Sequence, residues 1–111
     1  MGISKTELFN ADQNELAQIA KTLAHPARIA ILQFLAKQNT CICNDIVEEI
    51  GLAQATISQH LKELKQAGLV QGNIEGAGIC YCINHDVWTN YKGKLNQFFD
   101  TIQPIEKGKC C

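Results

Sequence analysis

The sequence predicts a mainly α fold with one small β-hairpin, arranged as a winged helix-turn-helix. Three observations carry this expectation. Gly51–Gly68 reads GLAQATISQHLKELKQAG, and Ile57, Leu61 and Leu64 recur there at i, i+4 and i+7, one apolar stripe on a helix. A short apolar segment ending at Ile50 precedes Gly51, so a short helix, a glycine turn and a longer helix follow in order. After Gly68 the period changes: Leu69–Ile74 and Ile79–Asn84 read as strands joined through Glu75-Gly76-Ala77-Gly78. A hairpin directly after a helix-turn-helix is the wing of that motif.

The remaining elements follow in order. Ser4 with Glu7, and Asp12 with Glu15, have capping-box spacing, which predicts one broken or bent helix from about Lys5 to Leu23. Pro26 at the favoured first position opens a second helix that buries Ile29, Leu32 and Leu35 and ends near Lys37–Asn39. Asn44 caps a third, to Ile50, with Ile46, Val47 and Ile50 inward. On the second strand Ile79, Tyr81 and Ile83 share one face and Cys80 and Cys82 the other. Asp86 caps a last helix to about Ile102, before Pro104. Its stripe of Trp88, Tyr91, Leu95, Phe98, Phe99 and Ile102 exceeds what a small interior can take. With the N-terminal helix it is expected to form a homodimer interface. The expected organisation is one winged helix-turn-helix and dimerisation domain over residues 1–103 and a flexible cysteine-bearing tail over 104–111.

Composition bounds the function. A chain of 111 residues with 46% hydrophobic content fits one small domain with a modest core, which dimerisation would enlarge. No apolar run is long enough to span a membrane, and the N-terminus lacks a secretory pattern, so a cytoplasmic location is expected. Gly2 with Thr6 matches the short myristoylation pattern, which is discounted. A net charge of −1 excludes a generally basic nucleic-acid binder but not a specific one, because the placement of charge decides. Six cysteines fall in three tight pairs, Cys41 with Cys43, Cys80 with Cys82, and Cys110 with Cys111. In a reducing cytosol such pairs read as metal-binding or redox-sensing thiols rather than a disulfide framework.

The polar face of Gly51–Gly68 carries Gln54, Thr56, Ser58, Gln59, His60, Lys62 and Lys65. Amides, hydroxyls and imidazole hydrogen-bond base edges, and lysines neutralise phosphates. A surface helix without such a role would carry more Glu and Lys. This face therefore predicts a recognition helix for double-stranded DNA, with modest, salt-sensitive affinity.

Cys41 and Cys43 lie at a helix start, where unpaired N–H groups and the helix dipole favour thiolate over thiol. Soft thiolates select trivalent arsenic or antimony, Cd(II), Pb(II), Zn(II) or Cu(I). Trivalent arsenic takes three sulfurs. Cys110 or Cys111, on the tail, is a candidate for the third, and Cys80 or Cys82 a weaker one. Burial as small apolar residues is the competing account of these cysteines.

Leu23–Leu35 (LAHPARIAILQFL), Cys41–Val70 (CICNDIVEEIGLAQATISQHLKELKQAGLV) and the glycine-bearing hairpin into YCIN strongly resemble the ArsR family of winged-helix metal-responsive repressors. The likeness spans roughly Leu16 to Ile102. It implies a homodimeric repressor on a palindromic operator, released by a metal or metalloid to turn on a resistance or efflux operon. Carried over, Gln54, Thr56, Ser58, Gln59 and His60 would face the major groove, Lys62 and Lys65 would touch backbone, and the Asn73–Gly78 wing would reach toward the minor groove. Ala53 departs from the family, which often places a capping Ser there. Ile46 also departs, since one branch has a third cysteine at that position. A second family site on the last helix falls on Asp86, Trp88, Phe99 and Ile102, of which only Asp86 could bind metal. No cofactor is expected while the protein represses, and arsenite, antimonite or another thiophilic ion is expected as inducer. A thiol redox or persulfide sensor and a Cd/Pb/Zn-responsive repressor are the alternatives. No Cys-x-x-Cys pair, glycine-rich loop or nucleophile–base spacing points to an enzyme.

Overall fold

The computed structural model describes residues 5–38, 46–75, 78–102 and 108. A short 3-10 turn, Lys5–Leu8, leads into α1 (Ala11–Leu23). The break falls at Phe9–Asn10 because Asn10, not Asp12, is the cap. Its side chain accepts from Gln13 N at 2.7 Å, and Asn10 N donates to Gln13 Oε1 at 3.0 Å. The reciprocal pair satisfies two otherwise unpaired donors. Asp12 and Glu15 instead meet Lys94 of the last helix, at 3.9 and 3.0 Å. Ser4 lies outside the described residues.

Pro26 opens α2 (Pro26–Ala36), and the His25 imidazole caps it, Nδ1 accepting from Ala27 N at 3.0 Å. Its buried positions are Ala27, Ile31, Leu32 and Leu35, whereas Ile29 is 39% exposed, against expectation. The reason lies in PARIAILQFLA: a helix apolar on nearly every side has no stripe to mark its inner face. In α3 (Ile46–Ile50), Ile46 is buried and Val47 and Ile50 pack partly against the core. Asn44 lies outside the described residues.

Gly51 turns the chain with φ +82°, a conformation that side chains other than glycine rarely adopt. The following α4 (Gln54–Gln66) starts at Ala53 with no side-chain cap, as the sequence implied. Gly68, at φ +84°, ends it, and Leu69 N donates to Leu64 O at 3.1 Å. Then β1 (Val70–Glu75) pairs antiparallel with β2 (Gly78–Ile83), Val70 opposite Ile83 and Glu75 opposite Gly78. Leu69 and Asn84 stand just outside the strands, each committed to a helix end. Asn84 N donates to Leu69 O at 2.8 Å. The Asn84 side chain accepts from Asp86 N and Val87 N at 3.2 and 3.3 Å. Asn84, rather than Asp86, thus caps α5 (His85–Asp100).

The core gathers Ile19 of α1, Ile31 and Leu35 of α2, Ile46 of α3, Ile57 and Leu64 of α4, and Leu69 and Val70 beside them. The α5 stripe divides. Tyr91 is buried and Leu95 partly so, while Phe98, Phe99 and Ile102 are 45%, 59% and 73% exposed. Leu8 and Phe9 are also exposed, and Leu16, Ala17 and Ala20 of α1 share an apolar hollow with Leu95, Phe98 and Phe99. The tail, 104–111, lies outside the described residues apart from Gly108.

Ala53 has extended backbone (φ −60°, ψ 146°), compatible with a capping side chain. Ala53→Ser is expected to raise unfolding stability by about 1 kcal/mol, read from urea melts. No gain would mean that the α4 N-terminus is already satisfied.

Candidate nucleic-acid interface

Ile57, Leu61 and Leu64 pull one side of α4 into the core, and the helical repeat carries the opposite side outward. Gln54, Thr56, Ser58, Gln59, Lys62 and Lys65 are all exposed. Gln59 Nε2 donates to Glu63 Oε1 at 3.1 Å, so its amide is oriented while one N–H remains to give. Two lysines against Glu63 leave the helix with a small positive excess, doubled in any assembly of two copies. The exposed groups form one surface of short polar side chains flanked by cations, able to hydrogen-bond base edges and neutralise phosphates.

His60 does not share that surface. It is 8% exposed and faces inward, because residue 60 lies beside Ile57 and Leu64, at the edge of the buried side of the repeat. Its Nδ1 accepts from Arg28 Nε at 3.2 Å, and its ring centroid lies 4.2 Å from that of His25. Arg28 Nη1 also donates to Thr22 O at 3.1 Å, so one guanidinium joins the end of α1 to α4. Burial holds the His60 imidazole below its ordinary pKa, with His25 and Arg28 adding to the effect and Glu63 opposing it. Of the residues expected to read bases, His60 is thus the one placed behind the exposed face rather than on it. Arg28, which holds His60 from behind, is the contact that the polar-face reading passed over. It is the sole arginine of the chain and sits in a helix whose other residues are apolar except Gln33, which was the available signal.

On the wing, the backbone of Asn73–Glu75 and Gly78 follows the hairpin register, and residues 76–77 lie outside the described residues. Cys41, Cys43, Cys110 and Cys111 also lie outside them. Cys80 is fully buried on β2 and Cys82 partly so, and both are disulfide-bonded. A disulfide sulfur offers no thiolate, so in this state neither serves as a third sulfur for an ion. Among the described residues, no three His, Cys, Asp or Glu side chains converge to hold a metal.

Residues 25–71 match the family described as bacterial regulatory protein, arsR family. An arsenical resistance operon repressor of Staphylococcus xylosus is 33% identical over 97 residues, covering 87% of this chain and 88% of that one. The transcriptional repressor PagR of Bacillus anthracis is 35% identical over 90 residues, covering 81% and 83%. The solution structure of a homodimeric winged helix-turn-helix DNA-binding domain from Mycobacterium bovis, a possible ArsR-family transcriptional regulator, matches at TM-score 0.61 and 26% identity over 96% of each chain. From the winged helix-turn-helix to the relatives that share most of its length, each comparison leads to one assignment: the chain belongs to the arsR family of bacterial regulatory proteins.

Proposed function

We propose that this chain is a cytoplasmic, homodimeric repressor that grips double-stranded operator DNA through α4 and releases it on binding trivalent arsenic or antimony. The observation that carries the reading is the exposed face of α4, with Gln54, Thr56, Ser58 and Gln59 ahead of Lys62 and Lys65. The apolar surface left on α1 and α5 supports the homodimer, and a second copy would bury Phe98, Phe99 and Ile102. No described helix is long and apolar enough to cross a membrane.

The inducer reading rests on cysteine chemistry and on the arsenical repressor among the relatives. Thiolates at Cys41 and Cys43 would supply two soft donors, with Cys110 or Cys111 as the third. An ion that binds the free form better than the DNA-bound form lowers operator affinity, typically through about 1–3 kcal/mol of coupling. Cd(II), Pb(II) and Zn(II) share the thiophilic chemistry and belong in the same titration. Thiol redox or persulfide sensing is a second reading, favoured by the disulfide bonding of Cys80 and Cys82. Ion-dependent release in excess reductant separates the two.

Four outcomes are expected. Lys62→Ala should weaken binding across all sequences and reduce the salt slope by about one per protomer, about two for the dimer, whereas Gln59→Ala should relax discrimination at one base step in each half-site. Anisotropy titrations on operator and scrambled duplexes read both, and equal loss on both duplexes for Gln59→Ala removes it from base reading. The Cys41→Ser, Cys43→Ser double variant should hold operator DNA and no longer release it with arsenite. Release by arsenite from that variant would disprove the ligand assignment. Phe98→Glu with Phe99→Glu should convert the dimer to monomer in sedimentation, and an unchanged dimer would move the interface elsewhere.

A further inference from the structure

The groups behind α4 form a junction that the reading face does not use. Arg28 on α2 donates through Nη1 to the Thr22 carbonyl at 3.1 Å and through Nε to His60 Nδ1 at 3.2 Å. Thr22 lies in the last turn of α1, whose carbonyls lack partners within the helix. One side chain of α2 thereby ties α1 to α4. The other groups around the junction are Lys21 from α1, His25 at the start of α2, Glu63 on α4 and Tyr91 from α5. These line an open cleft of about 590 Å³ with Arg28. Only Glu63 among them is acidic, and its carboxylate already accepts from Gln59.

We propose that Arg28 and His60 are a proton-sensitive positioning pair, in which the neutral imidazole holds the reading helix in place and its protonation lets the helix go. The proposal rests on the operator-binding reading given above. A guanidinium only donates, and an imidazole nitrogen accepts only while it carries no proton. The Arg28 contact therefore requires His60 in the tautomer with its proton on Nε2. Protonation would set an N–H donor and a second cation against Arg28, with His25 at ring distance and burial denying water to the new charge.

The sign follows from which form binds the proton more readily. The latched imidazole lies below the ordinary value of 6.5, mainly through burial, then through His25 and Arg28. Above 6.5 both latched and unlatched forms are neutral, and pH is without effect. As the pH falls through 6.5 the unlatched form takes up the proton first, so acid draws the population away from the DNA-binding arrangement. Affinity should fall by at most about tenfold per pH unit for each linked proton, and a dimer has two such sites.

The test is operator binding by the full-length dimer, in excess reductant and at constant ionic strength, from about pH 7.5 to about pH 5.5. Wild-type protein should lose affinity over that range. His60→Asn, which keeps an acceptor near the Nδ1 position and cannot titrate, should show a flat profile. An acid loss in His60→Asn equal to that of wild type, or no loss in wild type, would overturn the proposal. Nitrogen-15 NMR of the wild-type imidazoles decides the case even where the variant does not fold. An unprotonated Nδ1 with a midpoint below 6.5 is expected, moving upward in Arg28→Gln, which removes the cation. A proton on Nδ1, or an ordinary midpoint, refutes the pair. Failure to bind operator at any pH would refute the operator reading, and the NMR result would still decide the pair.

Discussion

Burial of Ile57, Leu61 and Leu64 fixes the rotation of α4 about its own axis, and with it the identity of every group that α4 shows to solvent. Leu64 is wholly inaccessible and Ile57 nearly so. Truncating such a residue typically costs about 2–5 kcal/mol, a large share of the stability of a small domain. Rotating the helix by one position would expose these side chains and sink Ser58, Lys62 and Lys65 into the core. The polar face is thus held by what lies behind it. No hydrogen bond on the outer side is strong enough to do the same.

That dependence also explains what the sequence revealed. The stripe on α4 is narrow and its other residues are polar, so the period alone located the inward side. The hairpin was equally legible, because alternation and glycines mark a strand pair without tertiary information. On α2, where nearly every residue is apolar, the period carried no direction, and Ile29 proved exposed. His60 shows the opposite case. Its place three residues after Ile57 and four before Leu64 marked it as inward, but its residue type suggested base reading. Position outweighed chemistry there because Arg28 supplies the partner that a buried imidazole needs. The helix starts shifted by two residues, to Asn10 and Asn84, because several neighbouring side chains could cap and backbone geometry selects among them. Cysteine spacing names candidate donors for an ion, but convergence of sulfurs depends on the path of the chain between helices.

Charge is used sparingly. With a net charge of −1, the chain has no general field to draw it to nucleic acid. Several of its cations are committed locally: Lys62 and Lys65 on the reading face, half-buried Arg28 between α1 and α4, and Lys94 against Asp12 and Glu15. The Glu15 contact raises the Lys94 pKa further above its already high ordinary value, so this ammonium stays charged throughout the working range. It joins α5 to α1, the two helices whose outer sides remain apolar. The pair therefore presents a single surface.

The junction between α4 and α5 has a mechanical meaning. Leu69 N bonds Leu64 O, Asn84 N bonds Leu69 O, and the Asn84 side chain receives the first amides of α5. Close by, a β-carbon added at Gly68 would lie 3.5 Å from Val87. These short links, through Leu69 and Asn84, tie the end of one helix to the start of the other. A tilt of α5, which is 16 residues or about 24 Å long, must swing α4 as a lever swings its load. In a two-copy assembly, the gap between the two reading helices would be geared to the angle at which the far ends of α5 meet.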